Sequence, residues 1–132
     1  MCIRDSSHKA PGPAPQPFVF FGTDTMKSAA KGIYVSRFDP LTGHLTTPTL
    51  AAPCVRPSFF AIGTTPKGRI LYVANEGDAH NSAVSSYSLD ANGTLHLLNQ
   101  VSSAGAGPAY LSVDETFPVS YTHLTLPTIY SV

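Results

Sequence analysis

Four positions carry side chains suited to binding or proton transfer: Arg56, Asn75, Glu76 and Tyr110. A carboxylate such as Glu76 can take a proton from water or hold a guanidinium, and a guanidinium such as Arg56 can clamp an oxyanion through paired N–H donors. The plain alternative is an Arg–Glu pair that joins two segments and, if exposed, adds little net stability. Asn75 offers an amide donor and acceptor, and Tyr110 a phenol. His80 lies in the polar run Glu76-Gly77-Asp78-Ala79-His80-Asn81 with no second ligand nearby, and His44 and His96 flank turns. None of them has metal-site spacing, so no metal is expected. Cys2 and Cys54 cannot build a disulfide framework or a cysteine metal site, and Cys54 reads as a small core residue.

The elements that must position these residues are short strands. From Phe18 onward the chain alternates brief apolar runs with turn residues and shows no helical period. Strands are expected at Phe18–Phe21, Gly32–Phe38, Leu45 to about Leu50, Ser58–Ile62, Ile70–Ala74, Ala83–Leu89, Leu95–Gln100 and Tyr110–Val113. Asp39 to Gly43 and Asp90 to Gly93 are hairpin tips, where Gly supplies a positive φ and Asp or Asn bonds nearby backbone. Asn92-Gly93-Thr94 also fits a glycosylation sequon, but the hairpin tip accounts for it. Thr65-Pro66-Lys67-Gly68 is another turn, and Pro57 and Pro108 precede strands, where a missing N–H does little harm.

Internal repetition selects the architecture. Phe18-Val19-Phe20-Phe21 recurs as Ile70-Leu71-Tyr72-Val73, an offset of 70 − 18 = 52. Asp39 recurs as Asp90 (90 − 39 = 51) and Gly43 as Gly93 (93 − 43 = 50). Pro57-Ser58-Phe59-Phe60-Ala61-Ile62 recurs as Pro108-Ala109-Tyr110-Leu111-Ser112-Val113, an offset of 108 − 57 = 51. A period near fifty with four strands per unit describes a β-propeller blade rather than a helical repeat. The expected fold is all-β: about two four-stranded antiparallel blades of an incomplete propeller.

The two ends look foreign. Met1-Cys2-Ile3-Arg4-Asp5, written ATG TGT ATA AGA GAC, has a reverse complement that translates as Val-Ser-Tyr-Thr-His, the run Val119 to His123. An inverted repeat of this kind resembles the transposon-end adapter of sequencing libraries, and such segments are set aside in fold reasoning. The expected organisation is therefore residues 1–6 non-native, 7–17 a Pro-rich lead-in, 18–116 a partial propeller and 117–132 non-native.

Composition agrees with a piece of something larger. Charged residues make up 12% of the chain, against about 25% in a free-standing domain. Eight basic residues balance eight acidic ones, so neither nucleic acid nor a membrane surface is an expected partner. No apolar run approaches the roughly 18 residues of a membrane helix.

These motifs carry a family resemblance. Lys31-Gly32-Ile33-Tyr34-Val35 with Phe38-Asp39-Pro40 and Thr42-Gly43 is similar to the first hairpin of the bacterial 6-phosphogluconolactonase, or seven-bladed lactonase, family. Pro57-Ser58-Phe59, Gly68-Arg69 with Leu71-Tyr72, Asn75-Glu76, and Gly105-Ala106-Gly107-Pro108 with Leu111-Ser112-Val113-Asp114 continue the likeness in order. The resemblance implies an N-terminal fragment of a seven-bladed propeller whose parent hydrolyses 6-phosphogluconolactone, or a related sugar lactone, in the pentose phosphate pathway. It implies no cofactor, a small-molecule lactone as partner, a monomeric parent and a cytoplasmic location, with a periplasmic or secreted one as the alternative. Lactone hydrolysis needs a base for water, donors for the oxyanion and a cation for the phosphate. Glu76 is the candidate for the base or for holding Arg56, while Arg56, Asn75 and Tyr110 are candidates for substrate binding.

Two positions depart from the family. Arg56 stands where Asn is common and Tyr110 where His is usual, and a phenol with pKa near 10 is a poor base at neutral pH. The other expected catalytic groups fall in later blades, so this fragment by itself is expected to be inactive. With two open sheet faces it is also expected to be partly disordered or to aggregate. A non-catalytic propeller scaffold and a cyclase of the same fold, like the fungal enzyme acting on carboxymuconate, are the competing readings. Ionisable groups in the channel would favour an enzyme over a scaffold, and a basic cluster suited to phosphate would favour the lactonase over the cyclase.

Overall fold

The computed structural model describes residues 16–114. The expected foreign ends and most of the Pro-rich lead-in lie outside these residues. Eight strands follow one another: β1 Phe18–Gly22, β2 Gly32–Asp39, β3 His44–Leu45, β4 Thr49–Pro53, β5 Pro57–Thr65, β6 Gly68–Asn75, β7 Ala83–Leu89 and β8 Leu95–Ser102. They form two antiparallel four-stranded sheets. The second runs β5-β6-β7-β8 in chain order, each strand joined to the next by a turn. In the first, β1 lies on one edge of β2, while β3 and β4 lie end to end along the other. No helix among the described residues is long and apolar enough to cross a membrane.

The turns explain the hairpins. Asp39 accepts the Leu41 N–H on its carboxylate and the Gly43 N–H on its carbonyl. Asp90 accepts those of Asn92 and Thr94. Gly43 (φ 75°) and Gly93 (φ 82°) adopt the left-handed conformation that closes each tip. The expected single return strand at Leu45 to Leu50 is broken. Pro48 has no N–H for the ladder, and Thr46 bonds back to Arg37 from both backbone and side chain. Pairing then resumes at Thr49 and runs to Pro53. The expected strand at Tyr110–Val113 is reduced to bridge pairing at Leu111.

β6 is buried on both faces, and its alternation assigns each side chain. Leu71 and Val73 point toward the first sheet and pack with Ile33, Ala52 and Cys54 from that side and with Tyr87 and Leu95 of their own sheet. Ile70, Tyr72 and Ala74 point the other way, against Val84, Leu111, Phe59, Ala61 and Val113. The sheets therefore stand side by side as neighbouring blades, with β1 against β5 at one margin and β4 against β8 at the other. A fully buried Leu71 or Val73 contributes roughly 2 kcal/mol each, so apolar contact dominates the join between the sheets.

Candidate functional site

The chemistry-bearing residues gather where β1 and β6 end and β5 begins. Arg56 is the residue before β5, and Glu76 the residue after β6. The Glu76 N–H donates to the Arg56 carbonyl (2.9 Å), which ties the two segments together. The Arg56 guanidinium lies 3.4 Å from the Glu76 carboxylate and 3.9 Å from that of Asp24, the second residue beyond β1. The Arg56 N–H donates to Thr25 Oγ1 at 3.1 Å. One cation thus sits between two acids from neighbouring blades. Its side chain is 32% exposed, which leaves it open to a ligand.

Asp24 is the member that inspection of the sequence missed, and the repeat could have found it. Glu76 minus one period gives 76 − 52 = 24, so the two acids occupy equivalent places in successive blades. The Met26 backbone N–H, supported by that of Lys27 and the charge of Arg56, holds the Asp24 carboxyl below its ordinary value of 3.8. Thr94 and Asn92 N–H groups, with His96 nearby, do the same for Asp90. Both groups have lowered folded-state values, so their contribution is present above the unfolded pKa and disappears as pH falls through the folded one. Thermal stability is expected to decline below about pH 4. Replacing both aspartates with asparagine should flatten that acid limb in a melting series from pH 2 to 6.

Arg56 has an unusual backbone. Its φ is 37°, in the left-handed region, and the equivalent residue one period on, Gly107 (107 − 56 = 51), has φ 59°. The turn before the inner strand therefore requires this conformation in both copies. Glycine meets it freely, whereas Arg56 bears a strain of about 1 kcal/mol. We expect Arg56→Gly to change stability by less than about 1 kcal/mol, because relief of strain offsets the loss of exposed ion pairs. Arg56→Ala, which keeps the strain and loses the pairs, should be the less stable of the two in urea melts.

Asn75 does not join Arg56 and Glu76 at the surface. It is 1% exposed, and its amide is engaged on both sides. Its Nδ2 donates to Val55 O (2.6 Å) and Cys54 Sγ (2.9 Å), while Oδ1 accepts from Ser85 Oγ at 2.6 Å. Gln100 Nε2 donates onward to Ser85 Oγ (2.9 Å). Burial, reinforced by Cys54, pushes the neighbouring Tyr87 phenol well above its usual value. This network fixes the turn that carries Val55 and Arg56.

Tyr110 stands apart from the acid–arginine cluster. It is 45% exposed, and its ring packs on Phe59 with centroids 4.9 Å apart and planes tilted by 51°. The two aromatics are one period apart, and Ser58 Oγ donates to the Pro108 carbonyl (3.2 Å), so the start of β5 lies beside its counterpart in the segment after β8. Among the described residues no group of His, Cys, Asp and Glu could hold a metal ion.

Blades of about fifty residues, packed face to face with polar groups at one end of the inner strands, define a piece of a β-propeller. Comparison with known proteins identifies which propeller. The family described as "Lactonase, 7-bladed beta-propeller" matches residues 18–122, a span that takes in the first part of the stretch read above as foreign. The chain belongs to this seven-bladed lactonase family. It is 34% identical over 97 residues to the 6-phosphogluconolactonase of Bacillus subtilis (strain 168), covering 73% of this chain and 27% of that protein. A Bacteroides uniformis ATCC 8492 crystal structure, provisionally described as a 6-phosphogluconolactonase, is similar at 32% identity with a TM-score of 0.65. A Lactobacillus plantarum protein is similar at 32% identity with a TM-score of 0.60. Each structural match covers 76% of this chain and 28% of the other. The chain thus spans little more than a quarter of its relatives.

Proposed function

We propose that the parent of this chain hydrolyses 6-phosphogluconolactone or a closely related phosphorylated sugar lactone in the cytoplasm, as a monomer and without a cofactor. The likeness to a protein named 6-phosphogluconolactonase carries this reading. In the reaction the oxygen of water bonds to the lactone carbonyl carbon and the ring ester C–O bond breaks. The released ring oxygen takes a proton, and an open-chain carboxylate remains.

Arg56 is the residue of this fragment best suited to the substrate's phosphate. It is a partly exposed guanidinium, held by two carboxylates, at a position where the equivalent residue is glycine. A side chain kept at the cost of backbone strain points to a role outside folding. Glu76 is engaged with Arg56, so its part is to orient the guanidinium, and the base that activates water comes from blades beyond this chain. Asn75 acts as a positioning residue behind both, and Tyr110 offers its exposed phenol toward the ligand.

The test is an assay of the full-length protein on 6-phosphogluconolactone and on unphosphorylated gluconolactone, above the spontaneous rate. Arg56→Ala should lower kcat/KM for the phosphorylated lactone by roughly ten- to a hundredfold, from the loss of a charged hydrogen bond of about 1.5–3 kcal/mol. The unphosphorylated lactone should be little affected. Equal losses on both substrates would remove Arg56 from phosphate recognition. No hydrolysis of either lactone would leave the non-catalytic propeller reading.

A further inference from the structure

The two hairpin tips are copies of each other, yet only the second carries a residue able to react with its own backbone. The first tip ends in Thr42-Gly43 and the second in Asn92-Gly93, an offset of 93 − 43 = 50. Thr42 Oγ1 accepts the His44 N–H at 3.2 Å and does no more. Asn92 instead sets a carboxamide carbon beside the nitrogen of a glycine, where no side chain hinders attack. The tips also differ in what they touch. A Cβ on Gly43 would meet nothing within 4 Å, whereas one on Gly93 would lie 2.8 Å from Phe18 Cε1 and 2.9 Å from Cδ1. Phe18 belongs to β1 of the other sheet, and the Arg37 guanidinium covers its ring at 4.8 Å. The second tip is therefore a brace between the blades.

The other asparagines of the chain are held. The Asn75 amide is buried and bonded on both sides. Asn81 Nδ2 donates to Asp78 Oδ2 at 3.1 Å, and Asn99 Oδ1 accepts the N–H of its own successor, Gln100, at 2.9 Å. Asn92 is exposed, its side chain makes no hydrogen bond among the described residues, and it alone precedes glycine. What restrains it is the turn. The Gly93 N–H donates to the Asp90 carbonyl at 3.2 Å, and Asp90 Oδ1 accepts from Asn92 (2.8 Å) and Thr94 (3.0 Å). Reaction needs a brief opening of this exposed turn, not of a strand.

We propose that Asn92 is a site of spontaneous self-modification, and that its conversion to isoaspartate releases the Gly93–Phe18 contact between the blades. The Gly93 nitrogen gives its proton to solvent base and bonds to Asn92 Cγ, and the Cγ–Nδ2 bond breaks. Ammonia leaves, with solvent supplying its added proton, and a cyclic imide remains. Water then adds to one of the two imide carbonyl carbons. Cleavage between Cγ and the Gly93 nitrogen gives aspartate; cleavage between the Asn92 backbone carbonyl carbon and that nitrogen gives isoaspartate. Water is the only co-reactant. In isoaspartate the main chain runs through Cβ and Cγ and is one atom longer. The extra atom falls between the Asn92 and Thr94 N–H groups that Asp90 holds, next to a glycine with no room to spare against Phe18. This holds whatever the parent catalyses.

The test ages the full-length protein in mildly alkaline buffer and follows its peptides by mass spectrometry, with isoaspartyl methyltransferase labelling to separate the two products. Asn92 should convert roughly tenfold faster than Asn75, Asn81 or Asn99, since only its following nitrogen is unhindered. The converted fraction carries an added negative charge and separates by ion exchange. In that fraction amide hydrogen exchange within Phe18–Gly22 should be roughly tenfold faster, with β6 unchanged. Asn92→Thr, which copies the first tip, should show neither effect after the same ageing. Conversion of Asn92 in urea but not in the native protein would overturn the proposal, as would faster conversion at Asn81 or Asn99. So would a product that is all aspartate, equal β1 exchange in converted and unconverted fractions, or faster β1 exchange in aged Asn92→Thr.

Discussion

Asn75→Ala in the full-length protein is expected to lower unfolding free energy by about 2–4 kcal/mol. The loss has two parts. The Ser85 hydroxyl stays buried but loses its acceptor, and the Val55 carbonyl loses its donor, each supplied by the Asn75 amide at 2.6 Å. A small cavity also opens at a position only 1% exposed. The chain from Gln100 through Ser85 to Asn75 is a connected network, so its members should be strongly non-additive in double-mutant cycles. Asn75→Asp makes the cause explicit. It keeps the acceptor for Ser85, loses both donors and adds a buried charge, and should therefore be no more stable than the alanine variant. A urea melt that moves by less than about 0.5 kcal/mol for either variant would remove the network as the anchor of the Arg56 turn.

Gly22→Ala should be comparably damaging, for a steric reason. A Cβ on Gly22 would run into the Pro57 carbonyl oxygen and lie 3.3 Å from the Phe60 ring. The first obstacle is backbone and cannot rotate away, so β1 and β5 must separate. Overpacking of this sort costs about 1–3 kcal/mol. Separation also carries Asp24 away from Arg56, across a gap already 3.9 Å wide. The expected result is a lower melting temperature together with an Arg56 that responds to Glu76→Gln but no longer to Asp24→Asn. Retention of full stability would show that the blades can slide at this contact.

The blades were legible in the sequence because each repeated block is fixed by local chemistry. Asp-to-Gly tips, β-branched and aromatic runs, and a proline before the inner strand each force one local outcome, and the period joins them. What the pattern hid was which polar residues end inside. Asn75 and Glu76 are adjacent and look equally available, yet strand alternation turns Asn75 into the blade and Glu76 out of it. Asp24 lay in a loop between weak signals, and only its place one period before Glu76 distinguishes it. The interruption at Thr46–Pro48 depends on Thr46 satisfying Arg37 from outside the ladder, which no spacing rule announces.

The strictly sequential order of the second sheet bears on how such a protein comes to be made. Every strand pair in β5-β6-β7-β8 joins neighbours in sequence, so loop closure for each hairpin is small and contact order within the sheet is low. A blade of this design can assemble while the ribosome is still adding the next one. Folding speed should then be limited by the few contacts that span the whole chain, not by the many within each blade.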